Sequence, residues 1–274
     1  MAEAAKGKKI FLEICYDGTE YFGWQLQPDK ITIQEVIEYK LLKLYGDRQI
    51  RLTGSSRTDT GVHALGFAAC YEAPDKPDIP LEKVKLVLNA KLPGAIKIKQ
   101  VKYVPDEFHP RYDAKGKAYT YVFNRGDISP FAANYSWKVP ANISVEKIAE
   151  AVKHIEGTYD FSSFACAGGK VESNVRTIYR VDIQEFGQYL CITFIGNGFL
   201  YKMIRSIIGT LERIGFDKRK PVEMKEILDA KNRDVAAQTA PGCGLFLMKV
   251  FYGDEDPCAF RLERPPFQYP MQEY

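Results

Sequence analysis

Gly54-Ser55-Ser56-Arg57-Thr58-Asp59-Thr60-Gly61-Val62-His63-Ala64 forms a polar loop between two strand-like runs, around Ile50–Thr53 and Gly66–Tyr71. Loops displayed on a rigid frame are where binding and catalytic groups concentrate. This one carries a single carboxylate, Asp59, two residues after Arg57. A neighbouring guanidinium favours the ionised acid, and an ionised aspartate can act as a covalent nucleophile. Asp before Thr-Gly is also common turn chemistry, with the carboxylate bonded to its own backbone. The residues of the loop alone leave both readings open.

Working outward, the first half alternates strands and helices. Ile10 to Tyr16 reads as a strand ending in the turn Asp17-Gly18. Thr32 with Glu35 is a capping box, followed by Val36, Ile37, Leu41 and Leu44 at helical spacing until Gly46. A second helix follows Pro80 and stops at Pro93-Gly94, and Ile96 to Tyr103 is a strand. The second half has the same plan. Ala118 to Phe123 is a strand, and Ser144 caps a helix carrying Val145, Ile148, Val152 and Ile155. Arg176–Phe186 and Tyr189–Ile195 make a hairpin about Gly187-Gln188. An apolar helix runs from Phe199 to about Ile214, a shorter one follows Pro221, and Leu245 to Tyr252 is the last strand. Two β-α-β-β-α-β-like halves imply an α+β fold with sheets covered by helices. They divide as 1–107, bearing the Asp59 loop, and 108–274, with the join near Pro105 to Tyr112 and no sequence repeat between them.

The 274 residues, 46% hydrophobic and 27% charged, suffice for these two cores, so disorder is expected only at the ends, Met1 to Lys8 and the Pro-rich tail after Arg261. Six scattered cysteines without C-x-x-C, behind an N-terminus lacking an apolar run, read as free thiols in a reducing compartment. The three histidines lack zinc-type spacing. No stretch approaches the roughly 20 apolar residues of a membrane helix. A soluble, cytoplasmic protein without metal or membrane partner is expected. Net charge is +3, but Lys91 to Arg125 holds eight Lys/Arg against three acids. That local +5 fits a phosphate-contacting surface, or equally a solvated charged face.

Arg57-Thr58-Asp59-Thr60-Gly61-Val62-His63-Ala64 resembles the R-T-D-A-G-V-H-A signature of the tRNA pseudouridine synthase A family. Tyr16-Asp17-Gly18-Thr19 with Phe22-Gly23-Trp24-Gln25 resembles that family's opening block, and Gln34-Glu35 also matches. So do Asn89–Pro93, Phe108-His109-Pro110-Arg111-Tyr112, Lys117–Tyr121, Gly198–Arg205 and Ala240–Leu245, all in the family's order across residues 10 to 252. The resemblance implies the pseudouridine synthase fold: two halves with mainly antiparallel sheets, flanking a basic cleft that contains Asp59. It implies isomerisation of uridine to pseudouridine in tRNA, at positions 38, 39 and 40 of the anticodon arm, by a cytoplasmic homodimer using no cofactor.

Roles follow position by position from that resemblance. Asp59 attacks the target uridine, so that the base can leave, turn and rejoin its sugar through carbon 5. Arg57 helps extrude the nucleotide, and Tyr119 stacks on the flipped base and takes the carbon-5 proton. Arg205 pairs with Asp59, and Leu245 lines the pocket. Among substrate contacts, Arg111 suits a phosphate and His109 stacking or hydrogen bonding, with Phe108 and Arg125 beside them. Unaided, the residues give blander readings. Tyr119 alternates with Tyr121 and Phe123 as core would, and Arg205 falls away from the apolar stripe Leu200, Ile204, Ile207 and Leu211, as a surface arginine. The segment 108–112 reads equally as a linker, and His63 as support for the loop. Thr60 departs from the family's alanine, and Ser55 and Ser56 from its Ala/Gly. Three alternatives stand beside this reading: a same-family enzyme acting on other tRNA positions or other RNAs, a non-catalytic RNA-binding or tRNA-folding protein, and a metal-free hydrolase. A hydrolase would want a second carboxylate close by, and the loop offers none.

Overall fold

The computed structural model describes residues 9–168 and 171–269, apart from the side chain at position 131. The expected disorder of Met1 to Lys8 lies outside the described residues. The chain forms two compact units. One comprises the chain up to Ala114 together with Leu247–Gly253, and the other Lys115–Phe246 together with the segment that starts at Asp254.

In the first unit, β1 (Lys9–Tyr16), α1 (Ile33–Leu44), β2 (Thr53–Gly54), β3 (His63–Glu72), α2 (Leu81–Lys91) and β4 (Ile96–Val104) follow in order. This is the β-α-β-β-α-β sequence read from the periodicity. β1 is central and antiparallel to both neighbours, with Ile10 opposite Tyr71 of β3 and Tyr103 of β4. The core holds Ile10, Leu12, Ile14, Ile37, Leu41, Phe67, Val84, Leu88 and Ile98. Thr32 caps α1 by accepting the Glu35 N–H at 3.3 Å. At its other end Asp47 N–H returns to Leu42 C=O beyond Gly46, which takes φ +66. The strand expected at Ile50–Thr53 reduces to Thr53–Gly54, paired with Cys70 and Ala69.

The buried face of α1 includes Gln34 and Glu38 beside Ile33, Ile37 and Leu41. Gln34 Nε2 donates to Glu38 Oε1 at 2.8 Å and to Leu52 C=O at 3.1 Å. Glu38 Oε1 accepts Leu52 N–H at 2.8 Å, and its other oxygen meets Arg51 at 3.2 Å. Buried polar groups are tolerated when their partners are supplied in this way.

The second unit contains β5 (Gly116–Asn124), β6 (Trp137–Lys138), α3 (Val145–Val152), β7 (Gly157–Asp160), β8 (Val175–Phe186), β9 (Tyr189–Gly196), α4 (Met203–Gly215) and α5 (Glu223–Ala230). Its antiparallel strands run in the order β5-β9-β8-β7. The predicted hairpin is β8–β9, closed at Gly187 with φ +59. β10 (Leu245–Phe251) starts in this unit and ends in the first, where it neighbours β3. The fold is therefore mixed α+β with mainly antiparallel strands, and no helix among the described residues is long and apolar enough to cross a membrane.

Two expectations are corrected. The apolar helix begins at Met203 rather than Phe199, because Lys202 takes the left-handed conformation, φ 58, and ends the preceding turn. The tail after Arg261 is ordered as far as Tyr269. Leu262 is buried, its carbonyl accepts Gln184 Nε2 at 2.9 Å, and Phe267 packs on Tyr135 and Tyr189. Prolines limit helix and sheet, yet an apolar side chain at every few positions still docks a segment.

Candidate functional site

The Asp59 loop is clamped by the last residue of β1 and the segment that follows it. Tyr16 Oη lies 2.8 Å from Thr58 Oγ1 in a buried contact. Trp24 N–H donates to Thr58 C=O at 3.1 Å. The clamp leaves no space for side chains at two glycines. A Cβ on Gly18 would sit 2.1 Å from Val62 O, and one on Gly23, at φ +82, 2.3 Å from Thr58 O. Behind the clamp Trp24 stacks on Phe67 with centroids 4.0 Å apart. The loop's own turn is closed by the main chain, Val62 N–H to Asp59 C=O at 3.1 Å. The residue before the nucleophile candidate is thus held by side chain and backbone together.

Within the loop Asp59 is half-buried, while Arg57 and Thr60 are exposed. His63 is 2% exposed and supports the loop: its Nδ1 accepts Gly18 N–H at 3.1 Å and lies 3.1 Å from Asp17 Oδ1. Asp17 Oδ1 also accepts the Thr19 amide at 2.9 Å and hydroxyl at 2.6 Å.

Phe108, His109 and Arg111 share one turn of the first unit. The Phe108 ring packs against Phe11 and Tyr252, and Tyr252 Oη donates to Pro110 C=O at 2.6 Å. His109 Nδ1 accepts the N–H groups of Arg111 at 3.1 Å and Tyr112 at 3.3 Å. Burial pushes the His109 imidazole below its ordinary value, with Asp113 opposing and Lys9 and Arg111 assisting. Tyr112 is 74% exposed, stacked near His109 and 5.7 Å from the Arg111 guanidinium. This anchored turn presents one cation and one aromatic face to solvent, a combination suited to RNA phosphates and bases.

Tyr119, Arg205, Leu245 and Arg125 belong to the second unit. Tyr119 is 8% exposed on β5, with Phe199 edge-on to its ring at 5.4 Å. Next on that strand face, Tyr121 donates to Pro241 C=O at 2.9 Å, which fixes the turn leading into buried Leu245. The helical wheel predicts a surface position for Arg205. The residue is instead half-buried, because Nε donates to Ala240 C=O at 2.8 Å while Ala240 N–H returns to Arg205 C=O at 3.0 Å. A strap, residues 236–240, lies along α4 and covers that side. The wheel cannot foresee it, since the strap belongs to no regular element. Arg125, six residues from Tyr119 and so about 20 Å along an extended chain, pairs with Glu185 at 2.5 Å beside the β8–β9 turn.

The basic stretch from Lys91 to Arg125 divides on folding. Lys91, Arg111 and Lys115 are exposed, Lys99 pairs with Glu13 at 3.0 Å, and Lys117 is buried. Among the described residues no group of three or more His, Cys, Asp or Glu side chains gathers as metal ligands would. The supporting residues Tyr16, Gly18, Gly23 and Trp24 carry a signal in the sequence, two glycines within a short aromatic block, but only their contacts reveal what they support.

Comparison with known proteins supplies the context for these groups. A family model described as tRNA pseudouridine synthase matches residues 14–113 and 151–253. A protein of Thermoanaerobacter sp. named tRNA pseudouridine synthase A is 41% identical over 246 residues, spanning 89% of this chain and 100% of that one. Proteins of the same name from Streptococcus agalactiae and Geobacillus kaustophilus are 41% and 39% identical, over 89% and 90% of this chain and 95% and 96% of theirs.

Proposed function

The chain belongs to the tRNA pseudouridine synthase family and is an isomerase of tRNA uridine; on that premise we propose that Asp59 is its nucleophile and that it acts at positions 38, 39 and 40 of the anticodon arm. The observation that carries the assignment of Asp59 is the clamp on Thr58, which fixes the backbone of the adjoining carboxylate from two directions; the positions follow the family resemblance. Nucleophiles must be held within tenths of an ångström of productive geometry.

In the reaction the N1–C1′ bond of uridine breaks and a C5–C1′ bond forms. A proton leaves C5 and one is gained at N1, so nothing is oxidised and no water is consumed. The target base is stacked in its stem and has to be extruded, at a few kcal/mol. Exposed Arg57 fills the gap, and Tyr119, braced by Phe199, offers the flipped base a stacking face and takes the C5 proton. Arg205, whose guanidinium is oriented by its bond to Ala240 C=O, pairs with Asp59, and Leu245 closes the pocket. Arg111, with His109 and Phe108, contacts the RNA backbone, and Arg125 contributes a more distant cation. The homodimeric, cytoplasmic form belongs to the same proposal.

The test is release of tritium from carbon-5-labelled tRNA. Asp59→Ala loses all release while tRNA affinity stays within about tenfold, the equivalent of about 1.4 kcal/mol. Turnover retained by that variant would remove Asp59 from the mechanism.

A further inference from the structure

On the second unit, Arg213, Lys218 and Arg219 converge on a groove of about 370 Å³ whose remaining wall is Ala236, Ala237 and Gln238. The groove is built by the end of α4. There the chain reverses with Asp217 at φ 58, and Lys218 N–H donates to Arg213 C=O at 2.9 Å, bringing Lys218 and Arg219 back beside Arg213. Arg219 is fixed by a 3.0 Å bond to Val235 C=O. Among the described residues none of the three cations has an ion-pair partner, and the neighbouring Asp217 carboxylate is engaged by Lys147. One cation near a helix C-terminus is explained by the helix macrodipole. Three facing one concavity, with no acid in its lining, make a surface complementary to an anion.

The far wall connects the groove to the proposed active centre. Ala237 N–H donates to Thr210 Oγ1 at 3.3 Å. Gln238 O lies against Gly209, where a Cβ would approach to 1.8 Å. Two residues on, Ala240 is the partner of Arg205. The strap is thus fastened to α4 at positions 205, 209 and 210, and Arg213 lies two helical turns, about 12 Å, beyond Arg205 on the same helix. Two guanidinium sites at fixed spacing on one rigid element suit successive points on a polyanion.

We propose that this groove holds phosphate groups of the tRNA backbone through Arg213, Lys218 and Arg219, as an electrostatic site separate from the centre where the base is isomerised. The inference rests on the reading of the protein as a tRNA enzyme.

The experiment measures binding of an unmodified tRNA transcript as a function of salt, for the wild type, for Lys218→Gln and for the triple variant Arg213→Gln/Lys218→Gln/Arg219→Gln. Loss of phosphate contacts lowers the slope of log K against log salt by about 0.7–0.9 each, so the triple variant loses about 2.1–2.7 units and binds roughly tenfold or more weakly at moderate salt. Lys218→Gln, which removes only a cation–π contact with Phe216 at 5.9 Å, separates charge loss from misfolding and loses up to about 0.9. The transcript, but not inorganic phosphate, slows acetylation of Lys218. An unchanged slope in both variants overturns the proposal, as does protection of Lys218 by inorganic phosphate alone. If the wild type forms no pseudouridine in the transcript, the functional reading fails and the groove's role fails with it. If it is fully active while the slopes stay unchanged, the groove alone is refuted.

Discussion

The Tyr16 phenol and the Thr58 hydroxyl lie 2.8 Å apart in a buried contact, one residue from Asp59. Tyr16→Phe removes one partner and costs about 0.5–1.5 kcal/mol of stability. Its larger effect is on positioning: kcat falls roughly tenfold to a hundredfold while KM for tRNA is unchanged. Thr58→Ser, which keeps the hydroxyl, retains most of the activity. An equal fall in kcat in stability-matched variants elsewhere in the core would assign Tyr16 to packing alone.

Gly23→Ala places a methyl group 2.3 Å from Thr58 O at φ +82. The left-handed backbone alone costs about 1–2 kcal/mol. Gly46 provides the control, since it has φ +66 and open space within 4 Å of where its Cβ would stand. Urea unfolding of Gly46→Ala reports the conformational cost, and Gly23→Ala exceeds it by the steric overlap and also loses turnover. Equal destabilisation in the two variants would show that the loop yields freely.

Cysteine reactivity separates along the fold. Burial pushes the Cys15 thiol up to about 11 and those of Cys70 and Cys191 up to about 12. At Cys166 burial also acts upward, but hydrogen bonds from Arg233, Thr239 and Ser206 outweigh it and hold the thiol below its ordinary value. Since the thiolate is the reactive form, iodoacetamide at neutral pH labels Cys166 well before those three, as read by peptide mass spectrometry. Its contacts adjoin Arg205 and Ala240, so labelling lowers turnover. Faster labelling of Cys70 or Cys191 contradicts this order.

His109 gives a pH-dependent outcome. Its folded value lies below the ordinary imidazole value of about 6.5. Between those two values the unfolded chain binds more protons, so the turn's stability is complete above about pH 6.5 and is lost as pH falls towards the folded value. A protonated Nδ1 can no longer accept the Arg111 and Tyr112 amides. Hydrogen exchange at those amides, corrected for intrinsic rates, therefore accelerates between about pH 7 and about pH 5. Protection that stays constant over that range excludes His109 as the anchor.

The first unit is legible because its elements carry their own punctuation: the Thr32 cap, Gly46, Pro80 and Pro93-Gly94 all mark real boundaries. What periodicity cannot supply is any feature made by a distant partner. Gln34 and Glu38 are polar residues on a buried face because Leu52 and Arg51 satisfy them. Arg205 leaves its expected surface position because an irregular strap covers it. Phe267 is docked by aromatic rings more than seventy residues earlier. The Asp59 loop stands out as polar and strand-flanked, yet its chemistry comes from likeness to a known signature. The clamp by Tyr16, Gly23 and Trp24 is long-range and carries no periodic trace.

The membership of Leu247–Gly253 in the first unit governs the order in which the molecule can be made. During synthesis the loop bearing Asp59 emerges early, but the strand beside β3 and the phenol that fastens Pro110 emerge only after more than a hundred further residues. A ribosome-bound chain ending before residue 247 lacks them both. The nascent protein is thereby kept from completing the unit that bears Asp59 until residues 247–253 have been translated.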